Sequence, residues 1–246
     1  MRVFSRVKVK AGALALACGL LLAGCGGDGT GSSGAEASAE GAVAFTDALG
    51  REVSVSEPQR VAALIGSFAD VWCLAGGKDT LAAAAGDAWT QFDLDLPETV
   101  ADLGAVKGPS IVTLLAAVPD FVIGSANTAA DVELMELMDE LGIPAACFEV
   151  TSFDDYLEML GICTRITGDA EAYRLHGEAV QEQVEAARAR ADGSSPTVLY
   201  IRATGSSCKV KGSEGSVLGE MLADLGCENI ADSETGLLES LSLETI

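Results

Sequence analysis

The chain has 246 residues, 49% of them hydrophobic, enough to bury a sizeable core and build one or two domains, which excludes a disordered protein. The formal net charge is −22; the first 24 residues hold Arg2, Arg6, Lys8 and Lys10 and no acid, so the remainder sets 11 bases against 37 acids. That excess of negative charge excludes nucleic acid as a partner and a polybasic attachment to anionic lipid.

Residues 1–24 combine a basic head, an apolar run from Ala11 to Ala23 too short to span a bilayer comfortably, and the small-residue end Leu22-Ala23-Gly24-Cys25. The pattern predicts an export signal and not a transmembrane helix. The LAGC ending resembles a bacterial lipobox, which implies that Cys25 is lipidated and becomes the first residue of an exported protein anchored to the outer face of the cytoplasmic membrane. Residues 25–42 then read as the lipidated cysteine and a low-complexity, flexible tether. Gly29, Gly31 and Gly34 in this tether match a dinucleotide fingerprint in form only, because no strand precedes them and no helix follows.

From residue 43 the punctuation changes. FTDALGREVSV predicts a hairpin turning near Leu49-Gly50, and Val61 to Ile65 a short buried strand. A helix follows Gly66, with Trp72 at helical spacing from Phe68 and therefore read as core. Leu81 to Ala85 reads as a strand ending at Asp87-Ala88-Trp89. Pro109-Ser110 opens a short helix, Phe121-Val122-Ile123 is the next strand, Asp131 to Leu141 is amphipathic, and Ile143 to Val150 returns as a strand. Repeated alternation of strand and helix predicts a parallel sheet covered by helices, an α/β lobe over residues 43–167.

Residues 168–192 form one helical pattern without proline. Ala172, Leu175, Ala179, Val180, Val184, Ala187 and Ala191 paint one face, with Asp169 and Glu171 near the start and Arg188 and Arg190 near the end. Roughly 22 helical residues span about 33 Å, the width of a small domain, so the helix serves as a strut between two lobes or lies along the surface of one. Beyond it, Thr197 to Ile201 predicts a buried strand, Arg202 to Ser213 a polar, glycine-rich loop, and Val217 to Leu225 another amphipathic helix. Residues 193–246 thus read as the start of a second α/β lobe, with the expectation that the chain is truncated.

Seven cysteines lack a CxxC pair or zinc-type spacing, and the one histidine, His176, lies in the strut. No GxSxG, P-loop or HExxH is present, so the chain is not expected to be an enzyme and no cofactor is implied. Cys73 and Cys147 fall on a helix and a strand, where buried cysteine acts as a small hydrophobe.

Taken together, FTDALGREVSV with PQRVAAL, then LLAAVPDFVIG, LGIPAACFEV and SFDDYLEMLGICTRITGDAEAY, then LGEMLADLGCENIAD with LSLETI, resemble the substrate-binding lipoproteins of ABC importers, the class that captures ferric siderophores, haem or cobalamin. The resemblance covers about residues 45–246 and rests on the order and spacing of the pieces. It implies two Rossmann-like lobes with parallel sheets joined by one long helix, a ligand in the cleft between them, a permease as partner, and a monomer.

Ligands of open parallel sheets meet the loops at the carboxyl ends of the strands. In the first lobe these loops offer Ser67, Phe68, Trp89 and Asn127, with Lys107 before Gly108-Pro109 a further candidate; the ring of Trp89 either lies against a flat ligand or packs under its loop. In the second lobe Arg202, Lys209 and Lys211 fall close together on an acidic chain, and either select an anionic metal chelate such as a ferric siderophore or form a solvated loop. A corrinoid or haem is the alternative ligand, although Tyr156, Tyr173, Tyr200 and His176 are the only residues to hand for an axial bond to haem. A surface lipoprotein without a transport role is the alternative outside this class. Direct zinc or manganese capture wants several histidines. In the resembling family each lobe usually presents a glutamate to the permease. Glu244 matches the second-lobe position, whereas the first-lobe position falls on Val112, so Glu98 or Asp102 would have to substitute or the permease must differ.

Overall fold

The computed structural model describes residues 41–92, 94–190, 192–203 and 207–239. Cys25, the export signal and most of the tether lie outside the described residues, as does Glu244. Among the described residues no helix is long and apolar enough to cross a membrane.

The predicted hairpin forms from β1 (Val43–Thr46) and β2 (Glu52–Val55), paired antiparallel. Its turn is built around Asp47, whose Oδ1 accepts from the backbone of Leu49 at 3.0 Å and Arg51 at 2.9 Å. The same carboxylate receives the Arg51 guanidinium at 2.7 Å and the Cys147 N–H at 3.1 Å. Burial raises the Asp47 carboxyl, but the bonds from Arg51 and Cys147 outweigh it and hold the group below its ordinary value. Because Ala48 also donates to the Cys147 carbonyl at 2.9 Å, the turn covers an outer edge of the main sheet.

That sheet has five parallel strands in the order β5-β4-β3-β6-β7: β3 (Val61–Ala63), β4 (Leu81–Ala84), β5 (Ala101–Asp102), β6 (Phe121–Ser125) and β7 (Ala145–Phe148). Both faces are covered, so the central strands are apolar throughout, as a buried parallel sheet requires. Val61, Ala63, Phe121, Ile123, Ala146 and Phe148 point to one face, against α1 (Gly66–Trp72), the hairpin and α5 (Phe153–Thr167). The intervening Ala62, Leu64, Val122, Ala145 and Cys147 point to the other, against α3 (Ile111–Ala116) and α4 (Ala129–Leu141). Trp72 is buried and donates its indole N–H to Thr80 at 3.1 Å. A short helical turn α2 (Asp87–Thr90) follows β4.

Local chemistry sets the element ends. Ser110 caps α3, Gly142 ends α4 in the left-handed conformation at φ +67°, and Ser152 with Asp155 forms a reciprocal capping box on α5. The 15-residue α5 had no counterpart among the predicted helices, and neither did β5.

The helical pattern read over residues 168–192 forms a helix in three pieces: α6 (Ala170–Tyr173), a π turn at Arg174–Glu178, and α7 (Ala179–Arg188). Gly168, at φ +77°, ends α5, and the Asp169 side chain accepts from Ala172 to start the new helix. Beyond it stand β8 (Thr197–Val198), β9 (Tyr200–Ala203), β10 (Cys208–Lys211), α8 (Val217–Asp224), β11 (Glu228–Asn229), α9 (Ile230–Ser233) and α10 (Gly236–Glu239). Strands β8 and β11 pair in parallel, the start of a second α/β layer.

Two expectations fail in this region. The segment predicted as one buried strand is two short ones whose residues are half-buried or exposed. The stretch predicted as a loop from Arg202 to Ser213 contains an antiparallel hairpin, because Cys208-Lys209-Val210-Lys211 alternates and pairs with Tyr200–Ala203.

Candidate functional site

Strand order locates the site. Chain progression runs outward from β3 through β4 to β5, then returns to the other side of β3 with β6 and β7, so the direction of winding reverses between β3 and β6. The crevice at the carboxyl ends of those two strands is the topological switch point, where open α/β sheets bind ligands. Along this edge the strand order places Lys107 after β5, Trp89 after β4, Ser67 after β3 and Asn127 after β6. Neighbouring strands are about 4.8 Å apart, so the row from β5 to β6 spans about 14 Å, enough for a ligand of several rings.

Two carboxylates build the floor of the crevice. Asp87 accepts the Gly66 N–H at 2.8 Å and so ties the β3 loop to the β4 loop that carries Trp89. The approach is close enough that a Cβ on Gly66 would stand 2.7 Å from the Ala88 nitrogen. Asp131, in the first turn of α4, is wholly buried; its Oδ2 accepts the Ser125 N–H at 2.9 Å. Its Oδ1 is buried with no hydrogen-bond partner among the described residues. Burial raises the Asp131 carboxyl to about 6, with the Ser125 N–H pulling it down and the charge of Asp87 adding to the rise. Neither acid stood among the predicted contacts. The signal available was an acid on the apolar side of the α4 pattern, three residues after Thr128.

The predicted contacts divide. Trp89 is 39% exposed on α2, Asn127 and Lys107 are exposed, and Ser67 is half-buried in the first turn of α1. Phe68, by contrast, is buried and meets Phe148 edge to face with ring centroids 6.3 Å apart. It belongs to the core beneath the crevice, because the helix opened by Gly66 turns the side chain inward.

In the β9–β10 hairpin Arg202 stands opposite Lys209 and Tyr200 opposite Lys211, so the four side chains share one face. Val210, on the other face, is buried with Ala231 and Leu237. Arg202 and Lys209 are exposed and Lys211 is half-buried, and among the described residues none of the three forms an ion pair.

A concavity of about 910 Å³ lies elsewhere, between the β1 strand, the outer face of α5 and the start of α6, lined by Phe45, Leu157, Gly161, Ile162 and Tyr173. It holds none of the predicted contacts and lies away from the strand ends, so the crevice remains the candidate. The crevice offers an aromatic face, backbone amides and charged side chains, which suit non-covalent capture.

Comparison with known proteins bears on this fold directly. The sequence model of the family described as periplasmic binding protein matches residues 61–246. No curated protein matches the chain. Among solved structures, the periplasmic heme-binding protein RhuT from Roseiflexus sp. RS-1 is similar with a TM-score of 0.61 at 20% identity, covering 73% of this chain and 68% of that one. The siderophore-binding protein BauB, bound to a complex between two molecules of acinetobactin and ferric iron, gives a TM-score of 0.61 at 18% identity over 76% and 67%. The periplasmic vitamin B12-binding protein BtuF of Vibrio cholerae gives 0.59 at 18% over 71% and 66%. The chain thus spans about two thirds of the length of these structures, and at such identities the likeness is one of fold: two α/β lobes. These are binding proteins and not enzymes, and the family match over residues 61–246 makes the same statement of this sequence. The chain belongs to the periplasmic binding protein family.

Proposed function

We propose that this protein is the extracytoplasmic receptor of an ABC importer, and that it captures a ferric siderophore or a similar anionic iron chelate between its lobes and delivers it to the permease. The observation that carries the reading is the shared face of Arg202, Lys209 and Lys211 on a chain of net charge −22. Cations clustered on an acidic body attract an anionic ligand, and arginine adds bidentate contacts. Trp89, with Ser67, Asn127 and Lys107 along the same edge, supplies the opposing wall. Lipid on Cys25 holds the receptor, as a monomer, at the outer face of the cytoplasmic membrane, with residues 26–42 as its tether.

A second reading draws on the crevice itself. Among the described residues the first-lobe edge sets Asp87, Asp131 and Asp102 against Lys107, which favours a neutral ligand such as a corrinoid over an anion on that side. Haem, with anionic propionates, falls between the two. For the permease, Glu244 is the proposed second-lobe contact, while Val112 presents an apolar side chain, 81% exposed, where the first lobe would carry its acid.

Thermal stabilisation tests the reading. A ligand at one hundred times its dissociation constant adds about 2.7 kcal/mol to the stability of the bound form. Ferric catecholates and hydroxamates are expected to raise the melting temperature, and iron-free forms to raise it less. A rise with cobinamide alone would move the assignment to the corrinoid reading. Indifference to all of these and to haem would leave a surface lipoprotein without a transport role.

A further inference from the structure

The helix after Gly168 changes character along its length. As far as Gly177 it is knitted into the sheet-bearing lobe. The Thr167 hydroxyl donates to the Ala75 carbonyl at 2.6 Å, and Ala172 and Gly177 are buried. The Tyr173 ring lies over two glycines, so that a Cβ on Gly161 or Gly177 would stand 3.3 or 3.2 Å from its Cε2. After Ala179 this ends. No residue of α7 is buried, and its far end meets α8 through the ion pair of Arg188 with Asp224.

The change falls at the π turn. Arg174–Glu178 is closed by the Ala179 N–H on the Arg174 carbonyl, five residues back. A π turn is a one-residue insertion in an α-helix; it puts the hydrogen-bond ladder out of step and marks places where helices bend. One carbonyl of this turn, that of His176, accepts the Tyr156 hydroxyl of α5 at 2.9 Å.

We propose that the π turn Arg174–Glu178 is the pivot on which α7 and the segment beyond it swing relative to the first lobe, with the Tyr156 hydroxyl on the His176 carbonyl as its latch. Packing resists bending on the near side, and on the far side no buried residue of α7 resists it, so deformation concentrates where the ladder is already broken. The ten residues of α7 make a lever about 15 Å long, and a tilt of about 10° moves its tip by roughly 3 Å. The pivot acts in the ligand-free protein and does not depend on which ligand the cleft takes.

Distance distributions between spin labels test it, on the full chain without ligand. One label sits on the exposed Cys208 and the other on Glu140→Cys of α4, with Cys18, Cys25, Cys73 and Cys227 replaced by serine and the buried Cys147 and Cys163 left in place. Deleting Leu175, which is 52% exposed, removes the inserted residue and leaves both flanks in helical phase. The deletion is expected to narrow the distribution to about half its parent width, and Tyr156→Phe to broaden it by about half. A folded deletion variant as broad as its parent overturns the pivot. Should the deletion fail to fold, Tyr156→Phe decides: an unchanged distribution overturns the proposal, and a broadened one supports it.

Discussion

Arg202 and Lys209 stand directly opposite each other across the β9–β10 hairpin, two cations in register on an otherwise acidic chain. Like charges in this position work against the hairpin. Lys209→Ala is therefore expected to raise the melting temperature slightly at low salt, with the gain fading as added salt screens the pair. The same substitution is expected to weaken binding of an anionic chelate about tenfold. A lower melting temperature with unaltered binding would show that Lys209 serves the fold and not the ligand.

Asp131 makes stability depend on pH. Its folded carboxyl, at about 6, lies above the ordinary 3.8, so the folded state binds the proton more tightly than the unfolded state does. The stabilisation this group provides is full below about pH 4 and is lost as pH rises through about 6, a change on the order of 3 kcal/mol. Asp131→Asn keeps an acceptor for the Ser125 N–H and removes the charge. Urea unfolding at pH 5 and pH 8 is expected to show a smaller difference for the variant than for the parent; an equal difference would assign the pH dependence to another group.

The hairpin turn depends on Arg51. Its guanidinium reaches Asp47, whose side chain is wholly buried, and also the Ala145 carbonyl at 2.9 Å. Arg51→Met strands the Asp47 carboxylate against the sheet edge and is expected to cost about 3 kcal/mol in chemical denaturation. Asp47→Asn combined with Arg51→Met is expected to recover part of the loss, because the neutral amide needs no counter-charge.

Much of the first lobe was legible in the sequence because its strands are apolar runs between glycine and proline, the pattern that a sheet buried on both faces imposes. Val61–Ala63, Leu81–Ala84 and Phe121–Ser125 all stood out for this reason. The helix α5 was passed over, although its buried Met159, Leu160, Ile162, Cys163 and Ile166 share one face opposite the exposed Asp154, Glu158 and Arg165. Its clearest local signal was the Ser152–Asp155 capping box. Strand β5 has two residues, too few to show a period. The π turn is invisible to a periodicity search, since one inserted residue shifts the phase without changing the composition. In the crevice, Trp89 was legible as an aromatic at a strand end, whereas the one sequence signal of Asp131 is its place on the apolar side of α4, in line with Leu134, Met135 and Met138. Phe68 reads as a loop residue until α1 turns it inward.

The most direct test of ligand capture at the strand ends is tryptophan fluorescence, since Trp72 is buried in the core and Trp89 is exposed at the crevice. Titration of the full chain with a ferric siderophore is predicted to quench the emission saturably. Most of that response is predicted to disappear in Trp89→Phe, and the midpoint to move to about tenfold higher concentration in Arg202→Ala. Saturable quenching that persists undiminished in Trp89→Phe, or a midpoint indifferent to Arg202→Ala, would contradict a site between this crevice and the cationic face of the hairpin.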